Sequence, residues 1–370
     1  MKVACRVLLL FSSSELGGAE RSLTRMALVP SNIEYHLATL DGEGPWCEWV
    51  RGMGREPVVF GNHRAVSEHG KFSWLSIVAL WRYVRREQIG AIYVCGVRAA
   101  FALRWLKMFM PGVRLVQGVR WNPDSNSNLD RGFRLVERWF NGQVDSYITN
   151  SRIAAETLIR RCKVPVRRVY VIYNGLADLP EKIPPLAERP LEVLTVANLN
   201  PRKGYREYLR AVRIVLDAVP DARFVFVGRD DMNGELQRAI AANGLSHAVS
   251  YEGFQADVSN YFRRARVFVL PSLWNEGCPT ALLESFAWGC PVVAYGIDGV
   301  PELVSSGEDG FSVAPRDMHG LASRIVSLLT DISLAEKLGL AGRRKVAEKF
   351  SLISTTKLHE TVFKNLLEKY

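Results

Sequence analysis

The sequence predicts an α/β chain made of two doubly wound domains. Three observations predict it. Short apolar runs alternate with amphipathic helical stretches in both halves, the pattern of parallel sheets. A stretch at 179–190, LPEKIPPLAERP, carries four of the 17 prolines and reads as an extended linker. The alternation then restarts at residue 191 and runs on.

Composition is that of an ordinary globular protein, with 48% hydrophobic and 23% charged residues in 370. The six cysteines are scattered with no C-x-x-C pair, which predicts reduced thiols in a cytoplasm and neither a zinc site nor a disulfide framework. Residues 1–11 begin basic and turn apolar, but Arg6 interrupts the run and no small-residue cleavage site follows, so it reads as the first strand. No uncharged apolar run reaches the roughly 18 residues of a membrane span. Charge is uneven. Residues 1–178 hold 25 Lys and Arg against 15 Asp and Glu, the whole net charge of +10, while residues 179–370 are neutral. Such a first half calls for an anionic partner, and membrane surface, lipid-linked phosphate and nucleic acid all qualify. A nucleic-acid module is not recognisable, so nucleic acid is not expected.

The first half opens with a strand at 3–11, a loop SSSELGGAE at 12–20 and a helix at 21–29. Gly17 and Gly18 let backbone approach a ligand closely at a helix start. Strands follow at 35–40 and 58–60. A helix at 72–86 repeats Trp74, Val78 and Trp81 at helical spacing, with Arg82, Arg85 and Arg86 at its end. After a strand at 91–95, the helix at 97–110 repeats Phe101, Trp105 and Met108, flanked by Arg104 and Lys107. Residues 113–122 form a strand and exit loop holding Gln117 and Arg120. The helix at 129–141 sets Arg131, Arg134 and Arg138 opposite Phe133, Val136 and Phe140. A strand at 146–149 leads to Asn150 and Ser151, a natural N-cap. A strand at 169–173 ends at Asn174 and Gly175. Two readings of these helices stay open: apolar faces packed on the sheet with solvated basic faces, or basic and aromatic residues resting on an anionic bilayer.

In the second half a strand at 191–197 leads through NLNPRKG to a helix ending at 219. Arg202 and Lys203 there suit a diphosphate. Strands at 224–227 and 249–252 end at Gly228–Arg229 and Gly253–Phe254. The strand at 267–270 enters the stretch around which the chain is organised, PSLWNEGCPTALLESFAWGCPVVAYGIDGVPEL at 271–303. Glu276 lies in a loop. Pro279 suits a first helical position, 280–288 is the helix, Gly289 closes it, and 291–295 is a buried strand. A helix start at the carboxyl end of a strand favours phosphate. Glu284, about one turn into that helix, is better placed for sugar hydroxyls than for phosphate. Residues 311–370 read as mostly helical.

This stretch, from Pro271-Ser272 through Glu276-Gly277, Pro279, Glu284 and Gly289 to Pro291-Val292-Val293, resembles the E-x7-E signature of family 4 retaining glycosyltransferases. The resemblance covers nearly the whole chain and is specific in the second half. It implies the GT-B fold: two Rossmann-like domains facing a central cleft, at 1–178 and 191–354, with a final helix at about 355–370 crossing back to the first. It implies that Glu276 contacts the transferred sugar, Glu284 the nucleotide ribose and Lys203 the diphosphate, with Arg202 beside it. Gly17 and Gly18 would lie against the diphosphate and acceptor. Gly277, Pro279, Thr280 and Ala281 fall at the helix start, and Gly228, Arg229, Gly253 and Phe254 would bracket the base. The sequence departs from the family twice. Asn198 stands where many members have a phosphate-binding arginine. Gln117 and Arg120 occupy the neighbourhood of an acceptor-side histidine, and Arg120 is the candidate contact to an anionic acceptor.

The implied reaction moves a sugar from a nucleotide sugar, UDP-linked rather than GDP-linked, to a saccharide or lipid-linked saccharide in surface polysaccharide or lipopolysaccharide synthesis. Anomeric configuration is retained. Cations and the helix start would stabilise the leaving diphosphate, so no metal or other cofactor is expected. Asp230–Asp231 reads as a surface turn. The expected location is cytoplasmic, peripheral on the inner face of the plasma membrane. The alternatives are a catalytically inactive scaffold of the same fold and a polyanion-binding protein.

Overall fold

The computed structural model describes residues 5–61, 73–125, 127–177 and 179–368. Val3, Phe72, Asp178 and Tyr370, at the edges of predicted segments, fall outside them. The chain forms two compact units, one from residues up to Ala177 together with Leu352 onward, the other from the segment between.

In the first unit, strands and helices alternate as β1 (Cys5–Phe11), α1 (Gly18–Leu28), β2 (Ile33–Thr39), α2 (Pro45–Gly52), β3 (Val58–Val59), α3 (Trp74–Arg86), β4 (Ala91–Cys95), α4 (Val97–Lys107), β5 (Arg114–Val119), α5 (Asn128–Phe140), β6 (Ser146–Thr149), α6 (Arg152–Arg160) and β7 (Val169–Val171). The sheet is parallel, in the order β3-β2-β1-β4-β5-β6-β7. The chain builds outward from β1 on one side, then returns to β4 on the other. The loops after β1 and β4 therefore flank the reversal point, where open sheets hold ligands. They are locked together: the Ser12 hydroxyl donates to the Cys95 carbonyl at 2.9 Å. Gly96, at φ +116°, must be glycine, because a Cβ there would sit 1.3 Å from Ser12 Oγ.

The helices sort onto the two faces of the sheet. Leu80 and Val84 of α3, Leu103 and Leu106 of α4 and Phe133 of α5 pack with Leu8, Val94 and Leu115 on one face. Leu23 and Met26 of α1 and Trp46 and Val50 of α2 pack with Leu9, Tyr93 and Ile148 on the other.

Of the two readings left open for α3 to α5, packing of the chosen apolar repeats on the sheet is not what the structure shows. The repeats chosen from sequence are largely the exposed ones: Trp74, Phe101, Trp105 and Met108 face out, while Ser76, Leu80, Ala99 and Leu103 face the sheet. Arg104, expected on a basic flank, is only 2% exposed and pairs with Glu137, itself 1% exposed. Its guanidinium also donates to Gln117 Oε1 at 2.8 Å, and the Tyr147 hydroxyl donates to Glu137. Burial of a charge is tolerated only with such pairing. Arg134 is likewise turned inward, donating to the carbonyls of Pro123 and Ser125 at 2.6 and 2.9 Å.

The second unit runs β8 (Glu192–Val196), α7 (Tyr205–Ala218), β9 (Arg223–Val227), α8 (Glu235–Ala242), β10 (Val249–Tyr251), α9 (Ser259–Arg264), β11 (Val267–Leu270), α10 (Thr280–Ala287), β12 (Val292–Tyr295), α11 (Val300–Leu303), β13 (Gly310–Val313), α12 (Met318–Thr330) and α13 (Ile332–Lys349). The strand β13 opens a region expected to be mostly helical. The parallel order β10-β9-β8-β11-β12-β13 puts a second reversal point between β8 and β11. The proline-rich stretch is tied to this unit near its end. Leu186 is buried, and Arg189 donates to the carbonyls of Pro184, Ala265 and Trp288 at 3.2, 2.9 and 2.8 Å.

The last helix, α14 (Leu352–Leu367), packs on the first unit. Val362 and Phe363 enter the core beside α1, with Phe363 against the rings of Tyr35 and Tyr93 at centroid distances of 6.3 and 5.9 Å. Burying one such phenyl ring is worth about 2–3 kcal/mol.

Candidate active site

The loops leaving β8 and β11 meet at the second reversal point. The first turns through Pro201–Lys203 and reaches Gly204, at φ +63°, before α7. A Cβ on Gly204 would stand 2.2 Å from the Pro271 carbonyl oxygen, so glycine is what lets the two loops touch. Their backbones are tied where the Leu273 N–H donates to the Arg202 carbonyl at 2.7 Å.

This contact brings together the two cations and the first carboxylate picked out from sequence. Lys203 forms an ion pair with Glu276, and Arg202 lies 3.9 Å from the same oxygen while donating to the Asn275 carbonyl at 2.9 Å. Glu276 is 5% exposed. Burial raises its pKa, but the Lys203 ammonium and then the Arg202 guanidinium outweigh burial, so its carboxyl sits below the usual range and is ionised. At Lys203 the cost of burial is the larger effect, and its pKa is lowered despite the attraction of Glu276. Expected as a phosphate contact and a sugar contact, these two side chains touch each other. The Glu276 backbone is fixed as well: its N–H donates to Asp298 at 3.2 Å, and its carbonyl accepts from the Gly299 N–H at 3.2 Å. Asn275, at φ +64°, makes the reversal that turns Glu276 inward. Asp298 and Asn275 were not singled out from sequence. Positive φ at Asn and Asp in tight turns is the signal they carry.

Pro279 is the N-cap of α10 rather than its first residue, and no side chain caps this helix. The start of the helix carries the positive end of its dipole, which favours an anion. Gly277 is buried beside Glu276, and Glu284 is half-buried in the second turn of α10. The exits of β9 and β10 join the same row. The Gly228 N–H donates to the Gly253 carbonyl at 2.9 Å, and Asn198 Oδ1 accepts from the Arg229 N–H at 3.2 Å. A Cβ on Gly228, at φ +149°, would stand 2.0 Å from the Ala197 carbonyl oxygen. The Arg229 guanidinium is paired with Asp231 at 2.6 Å, and Phe254 is exposed. Asp230 accepts from the Met232 N–H at 2.8 Å and also from Gly234, a turn-forming role. Among the described residues no three His, Cys, Asp or Glu side chains group as a metal site requires. A cavity of about 560 Å³ on this unit lies elsewhere, lined by Arg223, Ser250, Gln255 and Arg264.

In the first unit, Gly17 caps α1 without a side-chain bond, and α1 starts at Gly18, three residues earlier than expected. A Cβ at Gly18 would meet nothing within 4 Å. Arg120 leaves the end of β5 and bonds Asn174 and Ser22, the latter at 3.3 Å. Its Nε and NH1 are buried, with no hydrogen-bond partner among the described residues. Gln117, expected on the acceptor side, is turned to the opposite face of the sheet and is 1% exposed against Arg104. The alternation of β5 decides this, since residues 115, 117 and 119 share the face covered by α4.

Two Rossmann-like units, with cations, a carboxylate and a helix start gathered at the reversal point of the second, define the GT-B fold. Comparison with known proteins agrees. A model described as Glycosyltransferase Family 4 matches residues 16–177, and one described as glycosyl transferases group 1 matches residues 190–331. The two matches fall one in each unit. It is similar to the UDP-Gal:alpha-D-GlcNAc-diphosphoundecaprenol alpha-1,3-galactosyltransferase of Escherichia coli, 24% identical over 75% of this chain and 76% of that one. It is also similar to the amylovoran biosynthesis glycosyltransferase AmsK of Erwinia amylovora, 31% identical over 50% of this chain and 48% of that one. The chain spans about half the length of most of the curated relatives it matches. Among solved structures, Anabaena HepE in complex with UDP-glucose superposes with a TM-score of 0.82 at 20% identity, over 99% of this chain and 100% of that one. Sucrose-phosphate synthase of Thermosynechococcus elongatus gives 0.80 at 19%, over 99% and 100%. These structural likenesses bear on the fold.

Proposed function

We propose that the chain transfers a sugar from a UDP-sugar to a lipid-linked saccharide during surface polysaccharide synthesis, with retention of anomeric configuration and without a metal ion. The observation that carries this reading is the buried Lys203–Glu276 pair with Arg202 beside it, at the start of an uncapped helix. Lys203, Arg202 and the amides of Thr280 and Ala281 would hold the diphosphate and stabilise the negative charge that grows on it as the glycosidic bond breaks. Glu276, ionised and fixed by its backbone, would accept from hydroxyls of the transferred sugar, and Glu284 from the ribose. The leaving phosphate would take the acceptor's proton, so these residues act by binding and electrostatics. Lipid-linked and polysaccharide-forming relatives support the acceptor class, and the UDP named for two of the similar proteins supports the base.

Calorimetry against UDP-, GDP- and ADP-sugars tests the donor, with UDP-sugars binding and the others weaker. Equal affinity for all three removes the base assignment. Turnover unchanged by chelator is expected, and loss restored by a divalent cation overturns the metal-free reading. An inverted anomer in the product overturns retention.

A further inference from the structure

We propose that the outer surface of α3, α4 and α5 is a docking face for an anionic lipid bilayer. These three helices share one core layer beneath them, through Leu80, Leu103 and Phe133, so their opposite sides form one outer layer. That layer is unusually apolar for a surface. Of the 16 large hydrophobic side chains exposed among the described residues, ten lie on these helices and the turn after α4. Trp74 and Trp139 are each 72% exposed, Phe109 69%, Met108 63%, Leu135 60% and Trp105 53%. Scattered exposed hydrophobics need no explanation, but ten on one layer mark an interaction site.

Charge selects the partner. The three helices contain two carboxylates, Asp130 and Glu137, and both are fully buried. Asp130 accepts from Trp121 Nε1 at 3.0 Å, and Glu137 is spent on Arg104 and Tyr147. Every ionised group left on the outer face is therefore a cation, including Arg82, Arg85, Arg131 and Arg138. Large aromatics between cations, with the acids withdrawn inside, match the boundary of an anionic membrane, where rings enter the interface and guanidinium groups stay with the phosphates. Among the described residues no helix is long and apolar enough to cross a membrane, so the contact is lateral. The inference goes beyond the transfer reaction and does not depend on which donor is used.

Flotation of the full chain with vesicles tests it, using phosphatidylglycerol mixed into phosphatidylcholine against phosphatidylcholine alone. At low salt the chain should float with the anionic vesicles only, with a blue shift of tryptophan emission. Binding should fall by about tenfold or more at high salt, and likewise in the Arg131→Glu, Arg138→Glu double variant. Phe109→Ser with Trp139→Ser should lose flotation while keeping the wild-type affinity for UDP, which shows that the variant is folded and separates this failure from failure of the donor reading. No flotation at low salt, or variants that float as wild type does, overturns the proposal. So does binding of RNA at low salt with the vesicles left unbound, or a dimer in solution that the same aromatic substitutions dissociate.

Discussion

Lys203 and Glu276 are separated by 73 residues, yet they form one buried ion pair because β8 and β11 are neighbours in the sheet. Strand order places the two loops side by side, and Gly204 lets them touch. Removing one partner of a buried pair costs up to about 3–5 kcal/mol where the remaining charge has no other partner. Lys203→Met and Glu276→Gln should differ in one respect. The lysine change leaves a carboxylate that still has the Arg202 guanidinium 3.9 Å away, whereas the glutamine change leaves a buried ammonium beside a second cation that repels it. Glu276→Gln should therefore be the less stable by urea denaturation, and the double variant should regain part of the loss. Both single variants should lose most transferase activity, and the double variant should not recover it. Wild-type turnover in either one ends the assignment.

Gly204 gives a second test, of loop contact rather than charge. In Gly204→Ala the left-handed conformation costs about 1 kcal/mol, and the new methyl meets a backbone carbonyl that cannot swing away. Gly307→Ala is the control: it shares a positive φ, +86°, but a Cβ there meets nothing within 4 Å. Gly204→Ala should lower the melting temperature clearly more than Gly307→Ala does, and it alone should weaken UDP binding. Equal shifts would show that the close approach to Pro271 is not needed.

Much of this chain is legible in its letters, and the failures share one cause. The apolar runs of β8, β11 and β12 are short, continuous and flanked by turn residues, which is what strands buried on both faces look like. The residues gathered at the second reversal point were also legible, because Gly, Pro and charged residues cluster after those strands. What could not be read is partnership across long separations. Arg104 sits on an amphipathic helix as a surface cation would, and only Glu137 and Gln117, brought in from α5 and β5, make its burial possible. The same blindness left open whether Trp74 and Trp105 pack on the sheet or face outward, since periodicity finds an apolar stripe but not the side on which the sheet lies. Arg189 holds the proline-rich stretch onto the second unit through carbonyls of α9 and α10 and their flanks, contacts that composition does not record.

His359 predicts how stability depends on pH. It is buried on α14 beside Tyr93, and burial lowers its pKa from 6.5 to about 4 despite a bond to the Thr355 carbonyl. The folded state thus keeps it neutral where the unfolded chain would protonate it. The sign follows: its contribution is complete above pH 6.5 and is lost as pH falls from 6.5 towards 4. The shift corresponds to a loss on the order of 3 kcal/mol. Urea midpoints measured across that window should fall for wild type and fall less for His359→Asn. Parallel curves would mean that the histidine already titrates in the folded chain.

Arg120 carries the prediction for the acceptor side. Asn174 and Ser22 hold one guanidinium nitrogen, which fixes the fork, while Nε and NH1 have no partner among the described residues. Buried donors of a charged group seldom go unused, and a fixed fork suits a phosphate or carboxylate. Hydrogen bonds to charged groups contribute about 1.5–3 kcal/mol, so Arg120→Ala should lower kcat/KM for a diphospholipid-linked acceptor by roughly ten- to hundredfold. Affinity for UDP should not change. Arg120→Lys should recover little, because an ammonium cannot present two parallel donors. If the alanine variant instead weakens UDP binding and spares the acceptor KM, the guanidinium belongs with the donor. Kinetics that match wild type for both substrates would leave it a structural arginine that ties β5 to α1.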